Sequence, residues 1–158
     1  MTKQIQLTQG QVALVDDEDF EWLNQWKWFA VWEPNLETFY AARQIRISPT
    51  KQTHVKMSRF IMNTPPWLVV DHVNHNTLDN QKRNLRNVTT SQNGMNRRPN
   101  KNNTTGFRGV TKTRYNRFKA EVKLNGKKLY FGTYDTAEEA AKAYEKASDE
   151  LYGEFKYK

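Results

Sequence analysis

Four side chains between residues 71 and 93 carry the groups that phosphodiester hydrolysis uses: Asp71, His72, Asn84 and Asn93. That reaction needs an activated water, a cation to balance charge at the phosphate, and relief for the leaving oxygen. The imidazole of His72 titrates in the range a general base needs near neutral pH. Asp71 offers hard carboxylate oxygens suited to magnesium or manganese, and Asn93 can add a neutral amide oxygen. So few protein ligands would leave coordination positions for phosphate and water. Adjacent Asp and His at a strand end point in different directions, so one can hold metal while the other takes the proton. Taken alone, an Asp-His pair in a polar loop is more often just a turn.

Elements must hold these groups in place. Trp67–Val70 reads as an apolar strand leading into the polar loop Asp71–Asn80, with Leu85–Val88 as the returning strand. Thr89, Thr90 and Ser91 offer N-cap residues for a helix running to about Asn96. Upstream, strands are expected at Gln4–Leu7, Val12–Val15, Trp26–Trp32, Phe39–Ile47 and Thr53–Met57. Asp16-Asp17-Glu18-Asp19 opens a helical turn carrying Phe20, Trp22 and Leu23. Trp22, Trp26, Trp28 and Trp32 could form a base-stacking platform. Filling a small β core is the favoured use of such large side chains.

The C-terminal third reads as three strands and a helix: Phe107–Arg114, Arg117–Leu124, Lys127–Thr133, then a helix opened by the capping box Thr136/Glu139. Asn125-Gly126 is a strong two-residue hairpin signal. Ala140, Tyr144, Ala147 and Leu151 form one apolar stripe, and Gly153 suits the position after the helix. One face of the sheet can pack on the helix while the other presents Arg108, Lys112, Arg114, Arg117, Lys119, Lys123, Lys127 and Lys128. The fold class expected is α+β. Its parts are an N-terminal β-rich region (1–65), a central core (66–97), a basic linker (98–105) and a sheet-on-helix domain (106–158).

Charge points the same way. Residues 1–60 hold seven basic and seven acidic side chains, whereas residues 82–128 hold fourteen Lys or Arg and one acid, Glu121. Such a block needs a polyanion, and nucleic acid is the commonest. Arg97, Arg98 and Lys101, with the amides around them, suit a strand tracking a groove or the phosphate backbone, and equally a plain tether. There are no cysteines, which excludes disulfides, Cys-ligated zinc and thiol nucleophiles. No apolar run approaches a membrane span and no signal-peptide layout opens the chain, so the cytoplasm of a bacterium or phage-infected host cell is expected.

Several motifs resemble known families. Val70-Asp71-His72-Val73-Asn74, Leu78-Asp79-Asn80, Asn84-Leu85-Arg86 and Ser91-Gln92-Asn93-Gly94-Met95-Asn96-Arg97 resemble the HNH endonucleases of phages and mobile introns. The opening, from Leu7-Thr8-Gln9-Gly10 to Val15-Asp16-Asp17-Glu18-Asp19, is similar to the N-terminal part of free-standing members. The resemblance implies a ββα-metal finger. In it His72 is the general base, Asp71 and Asn93 ligate one divalent ion, and Asn84 stiffens the loop behind His72. Asn96, His75 and Arg59 are accessory candidates, Arg59 as a phosphate clamp. Relatives usually read Met-His-Arg where this chain has Met57-Ser58-Arg59, and serine can neither take a proton at neutral pH nor ligate well.

Gly106-Phe107-Arg108-Gly109-Val110, Arg117–Val122 and Phe131–Ala141 resemble the ethylene-response-factor (Apetala-type) DNA-binding domain, whose sheet lies in the major groove. Carried over, the candidate contacts are Arg108, Thr111, Thr113, Tyr115, Glu121, Lys123, Lys128, Tyr130 and Thr133. The expectation is therefore a homing-type endonuclease that nicks or cleaves double-stranded DNA with one Mg2+ or Mn2+ per site. No structural zinc, membrane or protein partner is expected. A DNA-binding protein with a weakened core is the alternative that Ser58 motivates.

Overall fold

The computed structural model describes residues 1–97 and 102–157. Arg98 and Lys101 lie outside the described residues. Among the described residues the chain is mixed α and β, with four α-helices and four small antiparallel sheets. It divides into two compact units, Met1–Thr89 and Thr90–Lys158. No helix among the described residues is long and apolar enough to cross a membrane.

The first unit opens with a hairpin, β1 (Thr2–Gln6) and β2 (Val12–Asp16), followed by α1 (Asp17–Asn24). Strands β3 (Phe29–Glu33), β4 (Thr38–Ser48) and β5 (Lys51–Lys56) form a sheet with β4 in the middle. Helix α2 (Met57–Ile61) leads to a second hairpin-like pair, β6 (Val69–His72) and β7 (Leu85–Val88). Ile5 sits opposite Ala13, and with Val15 they face one core that also holds Leu23, Trp28, Ala41 and Met57.

Three local expectations are corrected. Met57 starts a helix rather than ending a strand: helical spacing turns Met57, Phe60 and Ile61 together onto the core. Asp71 and His72 lie on β6 rather than in the loop after it, because each finds a partner on β7, Arg86 and Leu85 respectively. The four tryptophans divide. Trp28 is buried and Trp22 packs against the core, but Trp26 and Trp32 are 40% and 47% exposed. Trp26 covers the Arg43 guanidinium at 4.1 Å from its ring centroid, and Trp32 leans on Phe39 at 4.9 Å between rings.

The second unit contains α3 (Thr90–Met95), the sheet β8 (Val110–Lys112), β9 (Phe118–Leu124) and β10 (Lys127–Tyr134), and α4 (Ala137–Tyr152). Strand β9 is central, and α4 packs on the sheet. Asn125 and Gly126 both take positive φ, 49° and 81°, as the tight hairpin requires. The capping box forms in both directions between Thr136 and Glu139. Ala140, Tyr144 and Ala147 are buried on α4, Leu151 partly so, and Tyr152 joins them by exchanging hydrogen bonds with the Lys123 backbone. Strand β8 is shorter than the expected Phe107–Arg114, because Gly109 turns at φ +69° before it and Thr113 closes a turn with Arg117 after it.

Candidate active site

Asp71 and His72 are the last two residues of β6, and both are buried. The cross-strand register sets Asp71 directly against Arg86, whose Nε and one terminal nitrogen both reach Asp71 Oδ2, at 2.8 and 2.7 Å. The guanidinium fork thus fixes the carboxylate at the strand end. Arg86 was not singled out from the sequence. The β6–β7 register is the signal that finds it.

After His72 the chain leaves the strand and returns through Lys82–Asn84. Asn84 ties the two limbs of this loop together. Its side-chain oxygen accepts from Asn74 N at 2.9 Å and its amide nitrogen donates to Asp79 O at 2.8 Å. Its backbone oxygen also receives Val73 N, at 2.9 Å. The remaining asparagines build the loop in the same way: Asn74 donates to Asp79 Oδ2 and accepts from Asn76 N, both at 2.8 Å. That is why the segment is so rich in Asn and Asp. Each short amide replaces a backbone partner that a strand or helix would supply.

The rest of the unit anchors the loop from outside. Leu14 on β2 exchanges backbone hydrogen bonds with Leu78 and Asn80, both at 2.8 Å. Thr77 donates to Phe39 O at 2.6 Å. Asp16 accepts from Lys82 N at 2.7 Å and from the Gln81 amide at 3.2 Å, so its carboxylate does not cap α1. The acidic opening of the chain therefore clamps the turn that carries Asn84. Asn84→Ala would leave the buried Asp79 O and the partly buried Asn74 N without these partners, at about 1–3 kcal/mol for a buried orphaned group. The expected result is a lower urea midpoint at unchanged slope, with Asn84→Asp intermediate because it keeps the acceptor.

His72 Nε2 lies 3.4 Å from Asn80 Oδ1, a long contact by hydrogen-bond standards. The Asn80 amide nitrogen is engaged with Leu78 O at 3.2 Å, so its oxygen is the end turned to the imidazole. An Nε2–H would face that oxygen as donor. Burial pushes the His72 pKa below its usual 6.5, against smaller opposing effects from Asn80, Asp71 and Asp79. Lys56 adds to the lowering. Its ammonium sits 3.6 Å from the Tyr40 ring centroid, and that ring is 6.5 Å from the imidazole. Lys56 is itself held below its usual pKa by burial.

A histidine whose folded pKa is lowered costs stability once the unfolded chain can take up the proton. Below pH 6.5 the unfolded chain takes the proton first, so stability falls as pH drops from there toward the folded value. In EDTA, wild type should lose more unfolding free energy between pH 7 and pH 5 than His72→Gln. Equal losses would show that His72 is not held neutral by the fold.

The other candidates in this unit are placed as follows. Arg59 on α2 donates to Leu68 O at 2.9 Å and Pro65 O at 2.6 Å, so at least two of its donors hold backbone. His75 takes positive φ, 62°, with its amide bonded to His72 O at 3.0 Å. Ser58 is buried in α2. His54 stands edge-on to Phe29 on β5. Asn93 and Asn96 belong to the second unit, Asn93 exposed on α3 and Asn96 buried just beyond it. Arg97 is exposed.

In the second unit, register puts Thr111 opposite Lys119, Glu121 opposite Tyr130, Lys123 opposite Lys128, and Lys119 opposite Thr133. Residues paired this way share a face. Thr111, Glu121, Lys123, Lys128, Tyr130 and Thr133 therefore lie on one face, with Lys119 among them, while Ala120 and Val122 face the core. Lys119 pairs with Glu121 at 2.8 Å, and the Tyr130 and Thr133 hydroxyls meet at 2.7 Å. Three candidates are off this face. Arg108 precedes β8, donates to Gly94 O at 2.9 Å and lies 6.0 Å from the Tyr152 ring centroid. Thr113 and Tyr115 sit in the β8–β9 turn, where Thr113 accepts from Arg117 N and Tyr115 is 71% exposed.

No family model matches the chain, and no solved structure matches it. Over 91 residues it is 38% identical to an uncharacterised HNH endonuclease of Acanthamoeba polyphaga mimivirus, a match covering 58% of this chain and 46% of that protein. Over 84 residues it is 37% identical to an ethylene-responsive transcription factor of Arabidopsis thaliana, covering 51% of this chain and 33% of that protein. The chain spans less than half the length of these curated relatives.

Proposed function

We propose that this protein is an HNH-type DNA endonuclease of the homing kind, with His72 as general base and the sheet β8–β10 as a DNA-reading surface. The observation that carries the reading is the His72 site. At the end of β6 a neutral imidazole faces Asn80 beside a carboxylate fixed by Arg86, and the loop that follows is pinned at both limbs by Asn84. The similarity to a viral HNH endonuclease supports it. Nδ1 of His72 takes a proton from water, and Asn80 is a positioning residue that selects that nitrogen. A lowered pKa keeps the base unprotonated at neutral pH at some cost in basicity.

The Asp71 carboxylate suits a hard divalent ion, and by the family resemblance Asn93, on α3, would add an amide oxygen. Magnesium and manganese typically bind through few protein oxygens and complete their shell with water and phosphate. When bound, the ion would polarise the phosphate and balance charge on the leaving oxygen. In the ββα-metal reading, β6 and β7 are the paired strands, β6 ending in Asp71 and His72. Thr111, Lys119, Lys123, Lys128, Tyr130 and Thr133 would face DNA, with lysines reading bases less specifically than bidentate arginines.

A second reading, a DNA-binding protein with a weakened core, is favoured by one observation. By the family resemblance a histidine is expected where Ser58 stands, and Ser58 is buried in α2. Supercoiled plasmid incubated with magnesium or manganese separates the two: nicking supports the enzyme, and tight duplex binding without nicking supports the second reading. Loss of that binding would remove both.

A further inference from the structure

Trp67 is the most exposed of the five tryptophans, at 77%, and it precedes β6, the strand that ends in Asp71 and His72. A lone exposed aromatic needs no explanation. This one is mounted on a stapled turn. Leu68 N bonds to Pro65 O at 3.1 Å, closing the four residues Pro65–Leu68 around the indole. The Arg59 guanidinium grips the same two carbonyls, Pro65 O and Leu68 O, from α2. Thr64 and Met62 are tied in turn to the Asn87 side chain on β7, at 2.7 and 3.1 Å. Two consecutive prolines, Pro65 and Pro66, restrict the backbone further. The fold thus uses a half-buried arginine and an asparagine to hold a turn that presents the Trp67 indole.

We propose that Trp67 is a wedge that stacks on a base step of duplex DNA and bends the duplex beside the His72 site. The inference rests on the DNA reading above and adds a residue that the family resemblance did not single out. Apolar side chains inserted from the minor groove unstack a step and kink the helix. A rigid aromatic carries out this task with little ordering cost, since the turn is fixed before binding. The long-range attraction to the same polyanion comes from the basic block 82–128 rather than from the turn itself.

The test uses full-length protein in EDTA, so that no strand is cut, with a duplex of mixed sequence carrying a fluorophore at each end. Stacking should quench the emission that Trp67 contributes, read as wild type minus Trp67→Ala. Trp67→Ala should weaken duplex binding about tenfold and abolish the end-to-end shortening. Trp67→Phe should stay within about threefold of wild type. Equal affinity and equal bending in Trp67→Ala, with unquenched Trp67 emission, would overturn the wedge and leave the DNA reading standing. Failure of wild type to bind duplex at all would overturn both. Because the indole is exposed, all three proteins should melt together, which checks that the difference is not misfolding.

Discussion

His72→Ala should lower cleavage by about 10²–10⁴, the usual contribution of a positioned general base, while duplex binding stays near wild type. The imidazole contacts Asn80 and faces Tyr40, and neither the Asn84 clamp nor the Asp71–Arg86 pair is built on it. The loop should hold its shape. The loss should therefore appear in turnover rather than in KM, as expected for a group used only when the water is deprotonated. Asn80→Ala should act on the same step more weakly, because it frees the ring to choose either tautomer. Its pH–rate profile should move while duplex affinity does not. Cleavage that survived His72→Ala unchanged would assign the base elsewhere.

Gly109→Ala should cost the second unit on the order of 3 kcal/mol. The backbone there has φ +69°, and an added Cβ would lie 2.0 and 2.1 Å from two carbons of the Tyr144 ring and 2.8 Å from Glu121 O. Neither neighbour can yield easily. Tyr144 is buried among Val110, Ala120, Val122 and Ala147, and the Gly109 carbonyl accepts from Glu121 N at 2.8 Å. The near-UV tyrosine signal is the appropriate probe: six of the seven tyrosines lie in residues 90–158, whereas all five tryptophans lie before residue 90. An unchanged tyrosine transition would mean that the ring and turn relax at no cost.

Local chemistry made much of the second unit legible from sequence. Asn-Gly dictates its hairpin, Thr136 and Glu139 cap each other, and the spacing of Ala140, Tyr144 and Ala147 marks the buried stripe. What the sequence hid depends on partners distant along the chain. Asp71 meets Arg86 only through strand register, and Asp16 meets Lys82 N across 66 residues. In the sequence Asp16 is only part of the acidic run that opens a helical turn. Its carboxylate went to the Asn84 turn instead. Trp26 and Trp32 looked like core because their size suits one, yet their register and neighbours leave them half out. Within the site, His72 and Asn84 were recognisable by motif. Asn80 stood in the Leu78-Asp79-Asn80 motif without a role, since its importance lies in which end of its amide faces the ring.

The most direct test of the central claim is relaxation of supercoiled plasmid by the purified protein with magnesium or manganese, beside EDTA and His72→Ala controls. The account predicts open-circular product that requires the ion and disappears with the imidazole. A protein that binds the plasmid but leaves it supercoiled under every metal condition would contradict it. Rescue of cutting by Ser58→His would then locate the defect in α2.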